Sequence, residues 1–141
     1  MYVDSAYIAK FYVNEPDAPA VRRSIQRAEY VCSSSWALVE VACVFHRHVR
    51  EGSLTAAQGR EMLDVFRGHV ERDLWHLIPI SEALLRKTAM LTQTLPREVP
   101  LRAGDAVHLV TAVEAGESEI WTNDRHLLAA ASHFGILGRS V

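Results

Sequence analysis

Four acidic residues stand where an acid is costly. Glu40 is the only charged residue of "SWALVEVACVF" (35–45), and Asp105 is the only acid of "AGDAVHLVTAV" (103–113). A helix as apolar as the first is expected to be buried nearly all round, and burying a lone carboxylate is expensive. Its helical neighbours Trp36, Ala37, Cys43 and Val44 offer no cation. A bound metal, a distant arginine or a raised pKa must then satisfy Glu40. Asp105 reads either as a helix cap or as a second such acid, with His108 on its face as hydrogen-bond partner or packed core residue. Asp4 in "MYVDSAYIAK" and Asp124 in "IWTNDRHL" each follow a short apolar strand and precede a helix. Each alone fits an N-cap and a ligand equally well.

Four carboxylates brought to one point repel one another and need a cation to stay ionised. All-oxygen ligation selects hard ions such as Mg²⁺ or Mn²⁺. The usual chemistry of such a site is phosphodiester hydrolysis, in which the metal polarises the phosphoryl oxygen, acidifies a water and stabilises the leaving oxyanion. No side-chain nucleophile stands out, in keeping with attack by water. The formal charge is −2, and setting these four acids aside leaves +2, so a cation-loaded cluster does not repel RNA. Thirteen of the fifteen basic residues are arginines, the others being Lys10 and Lys87. Arginine suits phosphate and surface ion pairs alike, so that bias decides nothing alone.

The elements that must position these acids alternate in type. "MYV", "YVC", "LWHLIPI", "EIWT" and "ILGRSV" read as strands, the last at an edge. Between them lie the helical patterns "AYIAKFY", "APAVRRSIQRA" capped by Asp17, "WALVEVACVFHRHVREG" closed by Gly52, and "AAQGREMLDVFRGHVERD" capped by Thr55. "EALLRKTAMLTQTL" opened by Ser81, "AGDAVHLVTAVEAG" and "RHLLAAASHF" follow, and Ser33–Ser35 read as a turn. Such alternation predicts a three-layer α/β/α sandwich with a largely parallel sheet, a single domain over 1–141. Asp4 and Asp124 fall at carboxyl ends of strands, where such sheets gather ligands, and Glu40 and Asp105 in early helical turns near the same edge.

These segments resemble the PIN-domain family, and within it the VapC-type toxins of bacterial toxin–antitoxin pairs. "YVDSAYIAKFYVNEP", "SSSWALVEVACVF", "LRAGDAVHLVTAV" and "IWTNDRHL" are similar to its four motifs, in order and across the whole chain. The resemblance implies a PIN-like fold and Mg²⁺- or Mn²⁺-dependent endoribonuclease activity. It also implies a cognate antitoxin and a homodimer. Asp4, Glu40, Asp105 and Asp124 would be the catalytic, metal-binding carboxylates. Ser5 and Thr122 would support them, and Asn123 could reach the same pocket.

Other residues carry less. Arg125 and His126 flank the fourth acid and are candidates for RNA-phosphate contact. Arg22, Arg23 and Arg27 read as a solvated basic face, or as a surface for RNA or an acidic antitoxin segment. His46 and His48, two apart on a helix, point away from each other. The stripes of "EMLDVFRGHVERDL" read chiefly as core, with a dimer or antitoxin groove as the other use. Cys32 and Cys43 read as buried, reduced thiols of a cytoplasmic protein, and no apolar run is long enough for a membrane span. A receiver-like phosphoacceptor would need an acidic pair after the first strand and a late lysine; a dehalogenase-like phosphatase would need Asp-x-Asp, where position 6 is Ala6. The remaining alternative is a PIN-like module that binds RNA or protein without cutting.

Overall fold

Strands and helices alternate as the pattern predicts in the computed structural model, which describes residues 1–141. The strands are β1 (Tyr2–Val3), β2 (Cys32–Ser34), β3 (His76–Ile78), β4 (Glu119–Trp121) and β5 (Leu137–Arg139). They form one sheet in the order β3-β2-β1-β4-β5, every pair parallel. The helices are α1 (Ser5–Tyr12), α2 (Ala18–Arg27), α3 (Ala37–Arg50), α4 (Ala56–Glu71), α5 (Glu82–Gln93), α6 (Ala103–Glu114) and α7 (Arg125–Ala131). A 3₁₀ turn over Ser132–Phe134 follows α7. From β1 the chain builds outward through β2 and β3, then returns to add β4 and β5 on the other side. The order therefore reverses at β1, and the crevice beyond the carboxyl ends of β1 and β4 is where a parallel sheet accepts ligands.

Side-chain alternation along the strands divides the core in two. Val3 joins Tyr7, Ile8, Val21, Val41, Phe45, Phe66 and Trp75, which seats α1–α4 on one face. Its neighbour Tyr2 points the other way with Leu109, Ile120, Leu127 and Ala130, which seats α6 and α7 on the opposite face. Leu84 of α5 packs on Val107 and Val110 of α6. The result is the expected three layers.

Local signals behave largely as their chemistry dictates. Thr55 and Gln58 form a reciprocal capping box on α4, and Ser81 Oγ accepts from Leu84 N–H at the start of α5. Gly52 takes the left-handed conformation (φ 78°) just beyond α3.

Three expectations are corrected. The second strand covers Cys32–Ser34 rather than 30–32, so Ser33 and Ser34 lie inside the sheet. Both are buried, and Ser33 Oγ donates to Val3 O at 2.7 Å, which removes the usual cost of a hydroxyl there. Asp17 makes no side-chain cap of α2. Its carboxylate is instead taken by Lys10 Nζ and Asn123 Nδ2. Finally, α3 is buried on one face only, through Ala37, Val41 and Phe45, while Leu38 and Val39 are 44% and 56% exposed.

Candidate active site

All four acids sit at helix N-termini. Asp4 Oδ1 caps α1, accepting from Tyr7 N–H at 2.7 Å, and Asp124 Oδ1 caps α7, accepting from His126 and Leu127 N–H at 2.7 and 3.3 Å. Glu40 lies in the first turn of α3 and Asp105 in that of α6, where Asp105 Oδ2 accepts from Arg102 N–H at 3.4 Å. The positive ends of four helix dipoles thus face four carboxylates, a favourable arrangement. Capping and clustering are not rival roles here, because the four acids line one cavity of about 420 Å³. Ser5, Cys43, Arg47, Arg102 and His108 complete most of its wall.

Thr122 joins the acids that follow β1 and β4. Its buried hydroxyl donates to Asp4 Oδ2 at 2.5 Å and accepts from Asp124 N–H at 2.9 Å. On the other wall, His108 is 2% exposed and touches three groups. Its Nδ1 lies 3.1 Å from Tyr2 Oη, and its Nε2 lies 2.8 Å from Ser5 Oγ and 3.1 Å from Glu40 Oε2. A carboxylate only accepts, so Nε2 must carry a proton for the Glu40 contact. Histidine from α6 is therefore the partner that Glu40 lacked on its own helix. Gly104 makes room for this contact. A Cβ there would overlap Glu40 Oε1 and stand 3.0 Å from Trp36 Nε1.

Burial sets the proton affinities. It raises Asp4 above the ordinary aspartate value, against the opposing hydrogen bonds from Thr122 and Tyr7 N–H. It also raises Asp105, partly offset by the Arg102 N–H bond and reinforced by the charges of Asp124 and Glu40. Burial acts in the same direction on Glu40, but the hydrogen bonds from His108 and Ser5 prevail and hold it below its ordinary value.

As the side chains stand, no three Asp, Glu, His or Cys residues are close enough together to hold a metal ion. Both oxygens of Asp4 and one oxygen each of Glu40, Asp105 and Asp124 are engaged by caps, Thr122 or His108. The donor set itself, four carboxylates without an adjoining thiolate pair, has the chemistry of a site for a hard divalent cation.

Several sequence expectations land elsewhere. Asn123 lies next to the cavity but turns away, donating to Asp17 Oδ2 and accepting from Val141 N–H. Burial of Asp17 is outweighed by the Lys10 and Asn123 bonds, which hold its carboxyl below the ordinary value. Arg125 and His126 do not line the cavity. Arg22 is not a free basic face, since it donates to Phe11 O and Val13 O at the end of α1. His108 bonds Glu40 rather than Asp105, and Cys43 is exposed at the cavity while Cys32 is buried. Arg47 and Arg102 were not singled out from the sequence. Arg47 carried a signal, as it lies seven residues on from Glu40 and so shares its helical face.

A doubly covered parallel sheet with acids at its carboxyl edge defines an α/β/α protein whose candidate site lies at the strand ends. The PIN domain model matches residues 1–132, and the chain belongs to the PIN domain family. Its fold is similar to that of Mycobacterium tuberculosis VapC20, a Sarcin-Ricin loop cleaving toxin, with a TM-score of 0.76 at 14% identity over 92% of this chain and 93% of that one. It is also similar to FitAB bound to an IR36 DNA fragment (TM-score 0.66, 13% identity, 99% and 93% covered). FitAcB from Neisseria gonorrhoeae gives a TM-score of 0.59 at 14% identity, with 97% and 94% covered. At these identities the likeness is one of fold. A sequence search of curated proteins returns no match.

Proposed function

We propose that this chain is the toxin of a toxin–antitoxin pair, an endoribonuclease that hydrolyses RNA phosphodiester bonds with Mg²⁺ or Mn²⁺. The observation that carries the reading is the meeting of Asp4, Glu40, Asp105 and Asp124 around one cavity at the switch point of a PIN sheet. These four residues would hold the cation. When bound, it supplies Lewis-acid activation of water and neutralises charge on the phosphoryl oxygens. The chain's own groups prepare that site. Thr122 fixes Asp4 and, through the Asp124 N–H, the first turn of α7. His108 and Ser5 hold the Glu40 carboxylate in its ionised form. Burial of Asp4 and Asp105 disfavours their bare charges, so a cation gains more there than at an exposed acid.

The likeness in fold to the Sarcin-Ricin loop cleaving toxin VapC20 and to FitAB supports an RNA substrate and an antitoxin partner. A homodimer fits the apolar side chains left exposed on α3 and α4, Leu38, Val39 and Val65. No helix is long and apolar enough to cross a membrane, and action on RNA in the cytoplasm is part of the reading.

The test is cleavage of a labelled RNA panel by the purified chain with Mg²⁺, with Mn²⁺ and with chelator. Cleavage is expected with either ion and is lost in Asp105→Asn. Undiminished cleavage in chelator refutes metal dependence, and binding that leaves every RNA intact favours the non-catalytic module.

A further inference from the structure

Two guanidiniums stand at the acidic cavity with their hydrogen-bonding capacity unused. Arg47 and Arg102 both line it, on different walls: Arg47 lies two turns along α3 from Glu40, and Arg102 precedes the first turn of α6. Their only charge contacts are long. Arg47 Nη2 lies 3.9 Å from Glu15 Oε1, and Arg102 Nη1 lies 3.6 Å from Asp124 Oδ2. Neither guanidinium makes a hydrogen bond, unlike Arg22, held by two backbone carbonyls, or Arg139, which donates twice to Glu119. A guanidinium offers five N–H donors in a planar fork matched to phosphate oxygens. Releasing Arg47 costs little, because Glu15 keeps Lys10 and His48 as partners. Both arginines are accessible, with side chains 51% and 74% exposed.

The charge of the cavity gives them a task. Four carboxylates face two guanidiniums, so one divalent cation brings the wall only to formal neutrality. Attraction for a polyanion then depends on cations placed beside the metal position. We infer that Arg47 and Arg102 form a two-sided phosphate clamp. They bind non-bridging oxygens of the substrate's phosphodiesters on either side of the one to be cut, and Arg102 exchanges Asp124 for RNA when the acids take up their cation. This clamp rests on the ribonuclease reading and adds to it the residues that hold the strand. It replaces Arg125 and His126, which lie off the cavity.

The test is binding, read as its salt dependence. The whole chain carrying Asp105→Asn is titrated with fluorescein-labelled single-stranded RNA in Mg²⁺ at several salt concentrations. Each phosphate contact on a single strand contributes about 0.7 to the slope of log K against log salt. Arg47→Gln and Arg102→Gln are each expected to lower that slope by about 0.7, and the double variant by about twice as much. Arg86→Gln, exposed on the surface of α5 and paired with Glu82, should leave it unchanged. Arg102→Lys should restore the slope without the full affinity, because a point charge lacks the fork. An unchanged slope in both glutamine variants, alongside RNA cleavage by the unsubstituted chain, overturns the clamp and spares the ribonuclease reading. An unsubstituted chain that neither binds nor cleaves RNA overturns both.

Discussion

His108 Nε2 lies 3.1 Å from Glu40 Oε2, with both Tyr2 and Ser5 holding the same imidazole. This places a buried ring from α6 behind an acid on α3, so the two helices are registered through the candidate site. His108→Ala removes the donor to Glu40 and one partner of the buried Tyr2 hydroxyl, a loss of about 1–3 kcal/mol in stability. Groups that orient metal-binding carboxylates typically matter 10–100-fold, so cleavage and Mn²⁺ affinity should both fall by about that factor. Denaturant unfolding, calorimetric Mn²⁺ titration and RNA cleavage measure the three effects. Unaltered Mn²⁺ affinity would show that His108 only fills space.

Thr122 offers a cleaner substitution. Valine keeps its shape but loses the hydroxyl that donates to Asp4 Oδ2 and accepts from Asp124 N–H. Buried Asp4 and the half-buried Asp124 N–H lose a partner together, so Thr122→Val should cost about 1–3 kcal/mol and most of the activity, whereas Thr122→Ser should retain both. The comparison is made by thermal unfolding and cleavage rate. Equal behaviour of the two variants would rule out the hydroxyl's role.

Gly104 separates activity from stability. An alanine Cβ would meet the Glu40 carboxylate, the far end of a flexible side chain, and the edge of Trp36. The chain can relieve that overlap by turning Glu40 aside, so Gly104→Ala should unfold within about 1 kcal/mol of the parent, as a helical Gly→Ala change usually allows. Cleavage should nevertheless drop sharply. A stable and fully active variant would show that Glu40 tolerates displacement.

What the sequence revealed depended on how local the signal was. Asp4, Asp124, Thr55 and Ser81 announce themselves because caps are written within four residues. The lone acid in α3 was equally visible, and it demanded a partner. The identity of that partner was not legible, since His108 is 68 residues away and pairs through the packing of α6 across the sheet. Ser33 misled for the same reason: a hydroxyl satisfied by Val3 O on the next strand looks, from sequence, like a turn residue. Asp17 failed as a cap because Lys10 and Asn123, one of them 106 residues distant, compete for its carboxylate. Long-range polar partners were the common omission.

The opposed proton affinities of the acids predict how stability should vary with pH and cation. Asp4 and Asp105 are raised above their ordinary value of 3.8, so in chelator their burial as anions penalises the folded state. That penalty is absent below 3.8, grows as pH rises from there toward the raised values, and is complete only above them. Glu40 acts in the opposite sense. Its lowered value stabilises the fold above its ordinary 4.5, and this gain is lost only as pH falls through the depressed value. Between neutrality and the ordinary glutamate range, the two raised aspartates therefore dominate this site, and its contribution to stability should increase as pH falls through that window. Asp4→Asn, which keeps a capping oxygen but cannot ionise, should be more stable than the parent in chelator at pH near 7 and lose much of this pH dependence, by roughly 1.4 kcal/mol per tenfold change in proton affinity. Mg²⁺ or Mn²⁺ should reverse the order by stabilising the parent, most strongly at neutral pH because the carboxylates must be deprotonated to bind. Thermal unfolding of both proteins across pH, with chelator and with cation, gives the answer. A parent that gains no stability from either ion at neutral pH would sink the cation site, and an Asp4→Asn curve parallel to the parent's would sink the buried-charge account of Asp4.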